Sequence, residues 1–204
     1  MGFTTDPDNS KKQVAAAITF NRKQKNAMNW VQAPYQDLGT TWSTGATGTG
    51  AGNKAYRQTD TMTGLIITEV HIDLTGLLAK GGDAGDVIGV GTTPAYIYQN
   101  VVADNGIIFK HEIICTELPA SSGTITTDIN VAWNSAATID YDEAGGTGSE
   151  INTGGLVAGQ IVSDETAAIT ANHYAYLTEG DTAASTGTYN AGQLIYRMYG
   201  YKVR

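Results

Sequence analysis

Residues 65–74 read LIITEVHIDL, and the alternation within them decides the fold class. Ile66, Val70, Ile72 and Leu74 fall on one side of a period of two, while Glu69, His71, Asp73 and the next residue, Thr75, fall on the other. Successive side chains of a strand point to opposite faces, so this spacing predicts a half-buried β-strand. The same texture recurs downstream. The turn KGGDAG at 80–85 is followed by Pro94 and an apolar run over 95–102, and Asp104-Asn105-Gly106 is a strong turn signal ahead of a second run over 107–116. Those two runs are expected to pair as a hairpin. After a turn at 119–123, Ile129, Val131 and Trp133 share one face of a strand over 126–133. Weaker strands are expected at 156–162 and 174–178, and QLIYRMYGYKV at 193–203 is the strongest signal near the end. About seven or eight short strands divided by turns predict an all-β protein, a β-sandwich that is jelly-roll-like, with an extended N-terminal arm. Periodicity does not choose among sandwich topologies, and no fixed-period repeat points to a propeller or solenoid.

Working back toward the start, residues 1–38 hold one apolar stretch, VAAAITF at 14–20, which suits either a short strand or about two helical turns. Residues 39–53 (GTTWSTGATGTGAGN) carry too little apolar surface to offset their ordering entropy and are expected as a linker or long surface loop. The expected division is therefore 1–57, a basic arm with a Thr/Gly-rich linker, and 58–204, an acidic β-sandwich.

Composition agrees with β-structure. The chain has 25 Gly, 28 Thr and 4 Pro in 204 residues, and Thr suits pleated surfaces while Gly supplies turns. Its net charge of −8 conceals a division: residues 1–57 hold seven bases and three acids, 58–196 hold two lysines and seventeen acids, and the last eight residues add three bases. So acidic a body argues against nucleic-acid binding, which needs Lys and Arg gathered on one face to release counterions. One cysteine leaves no internal disulfide and no multi-Cys zinc site. No run reaches the roughly 18 apolar residues of a membrane span, and the first residues lack a basic segment followed by an apolar one, so a soluble protein kept in the cytoplasm until assembly is expected.

Motifs that carry chemistry are weak. His111-Glu112-Ile113-Ile114-Cys115 matches the first four positions of a zinc-protease helix, but Cys115 stands where the second imidazole is needed. On a strand, His111 and Cys115 share a face with Ile113, and Cys115 reads as a small buried hydrophobe. His71 lies between Glu69 and Asp73, where a solvated strand face is the favoured reading over an ion site. His173 has no acid within five positions, and no serine or cysteine nucleophile is tied to an imidazole. No G-x-S-x-G elbow occurs. The Gly-rich segment 45–54 has Asn53 before Lys54 and Ala55 after it, which does not suit a phosphate cradle. GGDAGD at 81–86 occurs once, whereas calcium-binding repeats need stacked copies. Asp140, Asp142, Glu143 and Glu150 are read as a solvated acidic loop rather than a calcium site. No catalytic residue, metal or cofactor is expected. The residues singled out for contacts are Lys11, Lys12, Arg22, Lys23 and Lys25 in the arm, and the aromatics Trp30, Trp42, Tyr199 and Tyr201 for a subunit surface, where Tyr is enriched.

The segments TGLIITEVHIDLTGLL (63–78), GDVIG (85–89), PAYIYQNVVADNGIIFKHEIICTELP (94–119), TDINVAWNS (127–135), HYAYLTEGD (173–181) and GQLIYRMYGYKV (192–203) resemble virion structural proteins of tailed phages that infect aquatic bacteria. The resemblance spans residues 60–204 and rests on texture and segment order. It implies a β-sandwich on the phage head, a decoration protein clamping the capsid lattice or a related shell component, made in the host cytoplasm and carried on the capsid exterior. The partners it implies are copies of the chain itself, expected as a homotrimer, and the major capsid protein, with no nucleic acid and no membrane. Opposite charge on arm and body favours contacts between copies. Two alternatives stand beside it: a receptor- or glycan-binding module of a tail fibre or spike using loops 140–155 and 179–188, and a single jelly-roll shell protein.

Overall fold

The computed structural model describes residues 35–80, 85–121, 127–145, 150–151, 153–165, 169–180 and 186–202. Eleven strands are found among them: β1 Gln36–Asp37, β2 Lys54–Thr59, β3 Leu65–Asp73, β4 Leu78–Ala79, β5 Tyr96–Gln99, β6 Ile107–Ser121, β7 Ile129–Asn134, β8 Glu150–Ile151, β9 Ile161–Asp164, β10 Tyr174–Glu179 and β11 Gly187–Tyr201. A single helical turn, α1 Val102–Asn105, and a 3-10 turn, Thr44–Ala46, complete the regular structure. The first sheet runs β1-β2-β3-β11-β6-β9, with β4 beside the start of β11, and the second runs β5-β10-β7-β8. With β1, β2 and β4 set aside, eight strands remain. In chain order the first, eighth, third and sixth of them form one sheet, and the second, seventh, fourth and fifth form the other. This is the strand order of a jelly roll, the two-Greek-key sandwich.

The alternation predicted for residues 65–74 holds. Ile66, Val70, Ile72 and Leu74 are buried. On the facing sheet Ile97, Ile129, Val131, Trp133 and Leu177 close the same core, which also takes in Ile113, Cys115, Leu194, Tyr196 and Met198. The residues that line this core recur at every second position along their strands, because successive side chains point to opposite faces of a sheet.

The hairpin expected across Asp104-Asn105-Gly106 does not form. β5 pairs with β10, β6 pairs with β11 and β9, and the turn sequence instead closes α1 as the chain crosses from one sheet to the other. Buried polar side chains fix the crossing: Asn100 donates to Ile169 O and Thr170 O, both at 3.1 Å, and Asn105 Oδ1 accepts from the Tyr98 hydroxyl at 2.7 Å. A two-residue hairpin turn would leave those amides without partners.

Residues 39–53 are docked on the sandwich. Ser43 N–H donates to Tyr96 O at 2.9 Å and Gly45 N–H to Pro94 O at 2.8 Å, so this segment covers the free edge of β5. Gly45 and Ala46 are buried, and Trp42 packs against the core. Backbone hydrogen bonds to an edge strand supply the anchorage that its sparse apolar surface does not. The expected boundary at residue 57 falls inside β2, which pairs along its length with β3.

The outer faces of the two sheets differ. Over the second sheet, Tyr96, Tyr174 and Tyr176 form a small second core with Ala95, Ala136 and Ile139, closed by the Tyr176 hydroxyl donating to Ala136 O at 2.7 Å. Residues 136–145 thereby cover that sheet. Among the described residues, no strand or helix packs across the outer face of the first sheet.

Candidate interaction face

Strand register places the outward side chains of the first sheet in rows. One row joins Tyr56, Glu69, Arg197 and Glu112, because Arg197 on β11 pairs with Glu69 on β3 and with Glu112 on β6. The next joins Lys54, His71, Ile195, Ile114 and Ile161. On the other side of the charged row stand Ile67, Tyr199 and Lys110, and beyond them Leu65, Tyr201 and Ile107. A bulge in β6 adds Phe109 to this corner, since Tyr199 pairs with Lys110 but Gly200 pairs with Ile108. Phe109 stacks on Tyr201 with centroids 4.7 Å apart and planes 16° apart. Ile107, Ile161 and Tyr201 are 60%, 59% and 53% exposed, so the face ends in uncovered apolar corners.

Its centre is electrostatically closed. Arg197 Nε donates to Glu69 Oε1 at 2.6 Å, Arg197 Nη1 donates to Glu112 Oε1 at 2.7 Å, and the Tyr199 hydroxyl donates to the same Glu112 oxygen at 2.8 Å. Lys110 Nζ lies 3.6 Å from Glu112 Oε2 and 5.6 Å from the Tyr199 ring centroid. Burial works against the Arg197 charge, but the hydrogen bonds to Glu69, Tyr199 and Glu112 outweigh it and raise the guanidinium pKa above its usual value. Burial, reinforced by the bond to Glu112, also raises the Tyr199 hydroxyl, so Tyr199 remains a donor. Although Glu69 and Glu112 point outward, they are buried at 7% and 5% exposure. The solvated face expected around His71 is thus a packed one: Glu69 is paired, and Asp73 accepts from Gly52 N–H and Thr75 N–H in the loops beside it.

His111 faces the core and is fully buried. Trp133 Nε1–H donates to the Tyr196 hydroxyl oxygen at 3.0 Å, which leaves the Tyr196 proton to donate to His111 Nδ1 at 2.7 Å. The neutral imidazole then carries its proton on Nε2, which has no hydrogen-bond partner; Asp164 Oδ2 stands 3.8 Å away. Burial lowers the His111 pKa to about 4, opposed by the Asp164 charge. Since an unfolded histidine takes up its proton near pH 6.5 and the native one only near 4, stability is retained above 6.5 and lost as pH falls between these values. The expected cost is about 2 kcal/mol at pH 5 relative to pH 8, at 1.36 kcal/mol per pKa unit. Urea titrations at both pH values check it, with His111→Asn expected to flatten the dependence.

Lys11, Lys12, Arg22, Lys23, Lys25 and Trp30 lie outside the described residues. Of the other aromatics singled out, Tyr199 and Tyr201 meet on the outer face, whereas Trp42 is turned to the core. Phe109, Ile161 and Arg197 belong to the same face and were not legible as such, because each sits on a strand whose neighbours the sequence does not name. Cys115 is buried, as its period predicts. In the acidic loop Asp142 pairs with Lys80, and Glu143 Oε2 accepts from Asp140 N–H at 2.9 Å. Among the described residues no group of three or more His, Cys, Asp or Glu is placed to hold a metal ion.

A polar cleft of about 430 Å³ opens between β1–β2 and the edge of β5, lined among others by Asp37, Thr41, Arg57, Tyr98 and Asp104. Arg57 Nη2 donates to the Tyr98 hydroxyl oxygen at 3.2 Å and to Asn105 Oδ1 at 3.3 Å, and Nη1 lies 3.7 Å from Asp104. The lining holds no imidazole and no thiol. Comparison with protein-family models, curated proteins and solved structures returns no match.

Proposed function

We propose that the chain is a structural protein of a phage virion, a capsid decoration protein that sits on the exterior of the head and stabilises it by contacts between subunits. The observation that carries this reading is the outer face of the first sheet, half-apolar and, among the described residues, uncovered on a jelly-roll body whose other sheet is covered. Such a role works by burying surface between copies and needs no chemistry. Accordingly, Glu69, Arg197 and Glu112 at the centre of this face neutralise one another. The partners are copies of the chain, in a homotrimer, and the major capsid protein.

Co-sedimentation of the purified protein with heads lacking it tests the role. Binding at a fixed number of copies per head is expected, with a trimer mass by sedimentation equilibrium. Heads that take up none of the protein overturn the reading, and a chain that dominates the stained gel of whole virions is the shell protein instead. The polar cleft beside Arg57 favours a second reading, a glycan-binding module of a tail fibre, with adsorption to host cells blocked by the purified protein as its signature.

A further inference from the structure

We propose that the outer face of the first sheet is the surface by which one copy of this chain meets another. The inference deepens the structural reading above and rests on it only in taking a copy as the partner. Charge is the first argument. Residues 58–196 carry seventeen acids, yet only Glu69, Glu112 and Glu165 meet within the four rows described, where Lys54, Lys110 and Arg197 answer them and Glu165 pairs with Lys110 at 3.5 Å. Like-charged bodies repel wherever their acidic loops approach, and these four rows are balanced in charge, with acids returning only in the flanking row of Asp73 and Glu117.

Desolvation is the second argument. Covering a charged row ordinarily costs the hydration of every ion in it, and imperfect pairing then erodes affinity. Here both carboxylates are already removed from water in the single chain, at 7% and 5% exposure, and their charges are met by Arg197. A second copy therefore covers the two carboxylates at little further cost, leaving the partly hydrated Arg197 as the main charge to desolvate, while Ile67, Ile114, Ile195 and the exposed corners Ile161, Phe109 and Tyr201 supply the apolar gain. Five strands at ~4.8 Å spacing and up to seven residues at ~3.4 Å rise span at most about 570 Å² of projected surface, close to the ~600 Å² that each partner contributes to the smaller specific interfaces.

Sedimentation equilibrium of three variants tests the assignment. Ile161→Glu and Tyr201→Glu change exposed residues at opposite corners of the face, and Thr138→Glu changes an exposed residue in the loop over the other sheet. Thermal melts establish that each variant folds. The expected result is at least a tenfold rise in the dissociation constant for both corner variants and none for Thr138→Glu, with slowed hydrogen exchange in β3, β6 and β11 of the associated wild type. A wild type that stays monomeric, or corner variants that associate as tightly as wild type, overturns the inference. Head co-sedimentation is read separately: a protein that binds heads without self-association through this face leaves the decoration role standing, and one that self-associates through it but ignores heads does the reverse.

Discussion

Arg197→Met is expected to lower the unfolding free energy by about 3 kcal/mol at neutral pH, at the low end of the range for breaking a buried ion pair because the guanidinium is partly hydrated. The side chain bridges Glu69 and Glu112 at 2.6 and 2.7 Å, and both carboxylates are already shielded from water. Methionine fills much the same space but leaves two buried negative charges facing each other across β11. Lys110, 3.6 Å from Glu112, compensates that carboxylate in part, and Glu69 keeps only the His71 imidazole, 3.5 Å from its second oxygen. Arg197→Lys is expected to recover about half the deficit, since one ammonium keeps the charge but cannot fork to two carboxylates. The deficit has a signature that a packing defect lacks. It narrows in acid, where protonation removes the negative charge that Arg197 compensates. Urea titrations of wild type and variant at pH 7 and pH 4 measure it, and because both proteins contain His111, the imidazole's acid sensitivity cancels in the difference. A deficit independent of pH shows that the row acts through packing alone.

Gly106→Ala is expected to cost about 3 kcal/mol or more. Gly106 sits at φ 68° and ψ −160°, a combination open essentially to glycine alone. An added Cβ lies 2.0 Å from the carbonyl oxygen of Tyr201, which is backbone and cannot rotate aside. Backbone strain and displacement of a packed strand each contribute about 1–3 kcal/mol. The damage is also directional: β11 must move at the residues that pair with Leu65 and Ile107, so the Phe109–Tyr201 stack loosens with it. Denaturant midpoints give the magnitude, and hydrogen exchange is expected to localise the loosening to residues 199–202. Unchanged stability indicates that this turn relaxes freely and does not hold the end of β11.

Which side chains turn inward was readable wherever alternation was clean, as in residues 65–74 and in Ile129, Val131 and Trp133. β2 was hidden because it buries little beyond Ala55 and begins at the end of a Thr/Gly-rich run that reads as a loop. Its place is set by pairing with β3, a contact that leaves no periodic trace. The turn at Asp104-Asn105-Gly106 was recognised as a turn, but its partners were not. A hairpin and a crossing between sheets use the same residue types, and the crossing is chosen by the buried amides of Asn100 and Asn105.

By itself the sequence determined an all-β sandwich, its inward-facing residues, and the separation of charge between segments, because a period of two and composition are local properties of the chain. Only the tertiary structure decided which strands are neighbours, and with that the meeting of Glu69, Arg197 and Glu112 and, among the described residues, the difference between a covered and an uncovered sheet. Those depend on closing residues 69, 112 and 197 into adjacent register. That closure is settled by the packing of two whole sheets, not by any stretch of sequence within one strand.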